Sequence, residues 1–159
     1  MFDNLLKKNT KDTCPCGSGQ AYSSCCKIYH EGSAAPTAEH LMRARFSAYC
    51  LINESYLAHT WHPGSRPKRL NVNEKSGVHW LKLEIVNIEQ GGANDKIGRI
   101  EFRAYYELEG KRGYLHETAN FVKEDNQWYY FDGEIEYHNE DEQDDFKDFK
   151  PVRRLSAET

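Results

Sequence analysis

The sequence predicts an α+β fold: a small cysteine module, then helices packed on an antiparallel sheet. Three observations carry that reading. Four of the five cysteines crowd into "TCPCGSGQAYSSCCK", from Thr13 to Lys27. Apolar residues recur at helical spacing from Ala38 to Ile52. From Trp80 onward, apolar and polar residues alternate through segments parted by short, turn-forming stretches.

The elements follow in chain order. Residues 1–12 form a short arm, and 13–30 hold the cysteine module. In "HEGSAAPTAEH", Gly32, Ser33 and Pro36 mark a loop, and Thr37 is placed to cap the next helix, with Glu39 in its first turn. That helix, "AEHLMRARFSAYCLI", sets Leu41, Ala44, Ala48 and Leu51 on one stripe and Met42, Phe46 and Tyr49 on the adjoining one. Arg43 and Ser47 share a more polar face. A shorter helix, "ESYLAHTWH", stops at Pro63, because the residue before a proline resists helical geometry.

Residues 64–79 are predicted as loop with at most one helical turn. "WLKLEIVNIE" alternates through Leu81, Leu83 and Ile85, and "IGRIEFRAYYELE" puts Ile100, Phe102 and Ala104 on one face. "GYLHETANFVKE" and "QWYYFDGEIEY" complete the sheet. The connections "QGGAND", Glu109-Gly110 and "EDNQ" are tight, which favours an antiparallel meander. The main domain thus covers 37–138. The remainder, 139–159, is an acidic tail whose "NEDEQDDFKD" reads as a solvated end.

Composition narrows the classes. A chain of 159 residues buries one ordinary core, and its ten tyrosines, seven phenylalanines and three tryptophans argue against disorder throughout. No stretch approaches the roughly 20 apolar residues of a membrane-spanning helix. The N-terminus lacks the apolar core of a signal peptide. A cytoplasmic setting is expected, where clustered cysteines hold metal more often than disulfides. A formal net charge of −4 offers no global positive field to nucleic acid.

Cysteine spacing points the same way. A tetrahedral zinc site takes four thiolate or imidazole ligands. Cys14 and Cys16 make one claw, with Pro15 fixing the backbone between them, and Cys25 and Cys26 make the other, opening a helical turn. The "GSG" after the first claw permits positive φ angles that turn N–H groups towards a thiolate. A disulfide between neighbours would be strained, since adjacent Cα atoms sit about 3.8 Å apart against roughly 4.4–6.8 Å across the usual bridge. Cross-pairing between the claws is geometrically open but suits an oxidising compartment. One structural zinc ion on Cys14, Cys16, Cys25 and Cys26 is the expected cofactor, with no open position left for a catalytic water.

"CPCGSGQAYSSCC" resembles the SEC-C motif, the zinc-binding tail of the protein-export motor ATPase. There the module contacts a chaperone and the ribosome, so the resemblance implies docking onto a protein partner. Taken with "APTAEHLMRARFSAY", "YLAHTWHP", "WLKLEI" and "QWYYFDG", the chain resembles the YchJ-like family of uncharacterised bacterial proteins. That resemblance implies a nuclear transport factor 2-like domain, a curved sheet closed by helices into a conical pocket. Some members carry a second SEC-C motif near the C-terminus, whereas here no cysteine follows Cys50.

The residues expected to line such a pocket are Arg43, Arg45, Trp61, His62, His116 and Glu117. Arg43 and Arg45 lie about 200° apart around a helix, so only one enters the domain. His116 and Glu117 alternate on a strand, so only one faces inward. A buried Arg43–Glu117 pair would join helix to sheet. The leading expectation is a zinc-binding adaptor holding a small ligand or peptide. The alternative is an isomerase, dehydratase or hydrolase using His62 and Glu117 as an acid–base pair. The superfold often pairs through its sheet, which allows a homodimer. Cys50 reads as a small buried hydrophobe. His59, His79 and His138 receive no role.

Overall fold

The computed structural model describes residues 13–139; the arm 1–12 and the tail beyond Asn139 lie outside the described residues. Helices α1 (Cys26–His30), α2 (Ala38–Cys50) and α3 (Glu54–His59) precede strands β1 (Val78–Gln90), β2 (Ile97–Leu108), β3 (Lys111–Glu124) and β4 (Gln127–Asn139). Single 3-10 turns lie at Tyr22–Ser24 and Glu74–Ser76. The strands form one curved antiparallel meander in the order β1-β2-β3-β4. Its tight turns put Glu109 (φ 53°), Gly110 (φ 80°), Asp125 (φ 52°) and Asn126 (φ 62°) in the left-handed region that two-residue hairpins require.

Local chemistry sets the helix ends. The Thr37 hydroxyl accepts from His40 N–H at 3.1 Å to cap α2, and Asn53 accepts from Tyr56 N–H at 3.1 Å to cap α3. α3 stops at His59, before the predicted limit, because the chain leaves it to pair with β4. Tyr130 N–H donates to the Thr60 carbonyl and His62 N–H to the Tyr130 carbonyl, both at 2.9 Å. Residues 60–62 thereby cover part of the β4 edge.

The core lies between α2 and the inner face of the sheet, where Leu41, Met42 and Phe46 meet Ile100, Phe102 and Leu115. Two expected core positions are exposed. Leu81 is 48% exposed because the register shifts between Trp80 and Lys82, so Trp80 turns inward to the Tyr49, Phe46 and Tyr106 rings instead. Leu51 is exposed because α2 ends one residue before it. Conversely, Ser47, predicted on a polar face, is fully buried. α2 is covered on two sides, by the sheet and by the cysteine module. No helix among the described residues is long and apolar enough to cross a membrane.

Candidate metal centre and interior charge cluster

The four module cysteines converge. One sulfur from each of Cys14, Cys16, Cys25 and Cys26 falls within 4.8 Å of the others, and three of the four residues are buried. Cys16 Sγ stands 3.6 Å from Cys25 Sγ, which stands 3.9 Å from Cys26 Sγ. A tetrahedron with metal–sulfur arms of about 2.3 Å has edges of about 3.8 Å, so the donor set fits a four-sulfur metal site. No disulfide joins these cysteines. A short loop builds the first claw: Thr13 bridges Ala21, Cys14 N–H donates to the Gln20 carbonyl at 2.8 Å, and Gly17 and Gly19 take φ of 85°. Cys26 begins α1, as the spacing predicts.

Without a metal, the thiols share protons unequally. Hydrogen bonds from Cys16 and Cys26 hold the Cys14 thiol well below its ordinary value, while Cys26 is pushed up by its bonds to Cys14 and Cys16 and by burial. Cys50 stays outside the cluster. Burial first, then the negative charge of Cys14 and Cys16, pushes its thiol up to about 12, which keeps it unreactive at neutral pH.

Three polar contacts strap the module to α2. Arg43 Nη1 donates to the Cys16 carbonyl at 2.9 Å while its Nε donates to Glu39 at 3.0 Å. Cys14 Sγ lies 3.4 Å from Ser47 Oγ, which accounts for a buried serine on this helix. His30 from α1 sits with Nε2 2.8 Å from the Ala44 carbonyl and Nδ1 2.7 Å from the Tyr22 hydroxyl. The first requires a proton on Nε2, so Tyr22 donates to Nδ1.

The expected pocket residues divide into separate places. Arg43 faces the module, so the proposed Arg43–Glu117 pair does not form. Arg45 is the arginine that enters the domain. It is fully buried, donates through Nη1 to the Leu57 carbonyl at 2.8 Å and Thr60 Oγ1 at 2.7 Å, and lies over the rings of Tyr130 and Trp61. Glu117 is also fully buried, and the Tyr130 hydroxyl donates to its Oε2 at 2.8 Å. Arg45, Trp61, Tyr130 and Glu117 thus make one interior cluster.

The other two histidines lie elsewhere. His62 meets Glu124 at 2.8 Å through Nε2, accepts from Gly64 N–H through Nδ1, and packs on Tyr129 and Phe131. It does not meet Glu117, so the expected acid–base pair is not assembled. His116 points to the outer face of the sheet, where its Nε2 is 2.7 Å from Glu101 Oε2.

Open space lies on a different side, which the sequence analysis missed. A cleft of about 220 Å³ opens between the end of α2 and the start of β1, lined by Tyr49, Cys50, Val72, Ser76, His79 and Trp80. Tyr49 and Trp80 also line an apolar recess with Met42, Phe46, Phe102 and Leu115. The Tyr49 hydroxyl is buried and has no hydrogen-bond partner among the described residues. The aromatic positions of α2 were visible in the sequence. The register shift that turns Trp80 inward was not.

A four-cysteine cluster that fits a metal, seated on a helix that in turn packs on a curved four-stranded sheet, defines a SEC-C module joined to a nuclear transport factor 2-like domain. The family model described as "YchJ, middle NTF2-like domain" matches residues 37–133, and the chain belongs to this YchJ-like family. A UPF0225 protein of Chromobacterium violaceum is 45% identical over 130 residues, covering 80% of this chain and 96% of that one. A UPF0225 protein of Streptomyces coelicolor is 44% identical over 123 residues, covering 77% and 94%. The solution structure of a SEC-C motif containing protein from Rhodopseudomonas palustris aligns with TM-score 0.65 at 28% identity, covering 77% of this chain and 97% of that one. The crystal structure of a SEC-C motif containing protein from Psychrobacter arcticus aligns with TM-score 0.63 at 30% identity, covering 76% and 80%.

Proposed function

We propose that this chain is a non-enzymatic adaptor of the cytoplasm. Its four-cysteine centre holds one zinc ion as a scaffold for docking onto a protein partner, export- or ribosome-associated as for the motor's SEC-C tail. The cleft beside α2 takes a small ligand or a peptide side chain with an apolar body. The carrying observation is the shared helix. α2 holds the cysteine module through Arg43, Ser47 and Ala44, and walls the cleft with Tyr49 and Cys50. Four sulfur ligands leave the metal no site for a reacting water, so its part is structural.

Zinc content and native mass spectrometry of the purified chain test this reading. After dialysis against metal-free buffer, one zinc ion per chain is expected to remain, and Cys26→Ser is expected to lose it. Protein that retains no zinc, or a Cys26→Ser variant with unchanged metal content, would overturn the zinc scaffold. Trp80→Ala is expected to weaken any small molecule that co-purifies; unchanged retention would move the ligand site away from the cleft.

A further inference from the structure

A second group of metal-ligating side chains lies on the outer face of the sheet, away from the cysteines. His116 on β3 stands directly opposite Glu136 on β4, and His138 lies two residues further along β4, opposite Tyr114. Alternation along a strand returns every second residue to one face, so all three side chains rise on the same side. One donor atom from each falls within 4.8 Å of the other two.

The surroundings hold these groups in place. The His138 ring stacks on Tyr114, with centroids 4.8 Å apart and planes at 17°. Glu101 Oε2 is 2.7 Å from His116 Nε2, the arrangement in which a carboxylate fixes an imidazole and directs its other nitrogen outward. His138 Nε2 already lies 3.5 Å from Glu136 Oε2. The neighbouring cation, Arg103, is engaged by Glu84 at 3.4 Å and lies over the Tyr114 ring. Two carboxylates and two imidazoles therefore meet on one face of the sheet.

We propose that His116, Glu136 and His138 form a second divalent-metal site, with Glu101 as the positioning carboxylate. Mixed imidazole and carboxylate donors suit zinc, nickel or copper over magnesium or calcium. Three protein ligands leave one position for water or for a donor from a partner. The site does not depend on the adaptor reading, because its ligands and its test are separate from the cysteines.

Equilibrium dialysis of the full chain, its cysteine centre first loaded with one zinc, tests the site with added Zn(II) at neutral pH. A second ion per chain is expected. His116→Ala and His138→Ala should each abolish it while keeping the first ion, and Glu101→Gln should weaken it about 10- to 100-fold. Cobalt(II) then discriminates the two centres. In the outer site it should lack the intense sulfur-to-cobalt absorption that a four-cysteine centre shows. No second ion at millimolar zinc, or a second ion retained by the His116→Ala/His138→Ala double variant, would overturn the proposal.

Discussion

Arg45 and Glu117 are both fully buried, and each leans on Tyr130, one over its ring and the other on its hydroxyl. Removing one member of such a set strands the other charge in a medium that solvates it poorly. Arg45→Met and Glu117→Gln are each expected to cost about 3–5 kcal/mol, and the double variant less than the sum. Urea unfolding of the four proteins measures this, and strict additivity would show the two charges to be independent. Gly133 belongs to the same argument, because a Cβ there would fall inside the Glu117 carboxylate. The sequence showed that Arg43 and Arg45 face different ways but not which one enters. That choice depends on the module packed against the far side of the helix, and no helical periodicity reports what covers a polar face.

α2 is the element that packs against both the cysteine module and the sheet. Its inner side carries the apolar stripe legible in the sequence, while Arg43 and Ser47 are polar because they serve the module. Arg43 bridges Glu39 and the Cys16 carbonyl with two donors of one planar fork, a geometry that lysine cannot reproduce. Arg43→Ala and Arg43→Lys should therefore both loosen the first claw. Losing that half-buried bond at about 1.4 kcal/mol corresponds to roughly tenfold faster zinc transfer to a chelator, with the helical and sheet signal unchanged. Equal transfer rates in all three proteins would assign the strap to Ser47 and His30 alone. The strands were legible for a simpler reason: β2 and β3 keep long runs of alternation, and the turns around them carry residues that tolerate positive φ. β1 was misread at Leu81 because a bulge reverses which residues face inward, and alternation alone does not reveal a bulge.

At the scale of the molecule, the module and the main domain share one core. Cys14, Cys16 and Cys26 belong to the same apolar cluster as Leu41, Phe46, Phe102 and Leu115. Local pattern supplied the α+β order and the meander, whereas the curved, helix-closed domain came from family resemblance, because no local signal encodes how a sheet curves. A shared core makes metal binding a term in the stability of the whole chain. A ligand bound only by the folded state at 100 times its dissociation constant adds about 2.7 kcal/mol. Removing zinc with a chelator is therefore expected to lower the melting temperature of the entire domain in a single transition. Two separate transitions, with the sheet melting as before, would refute the shared core. Acid should act in the same direction. Metal ligation needs all four thiols deprotonated, and Cys25 and Cys26 are both pushed up without metal, so binding releases protons. The metal's contribution is thus present at neutral pH and lost as pH falls, and the melting temperature of the zinc-loaded chain should drop on acidification toward that of the chelated protein.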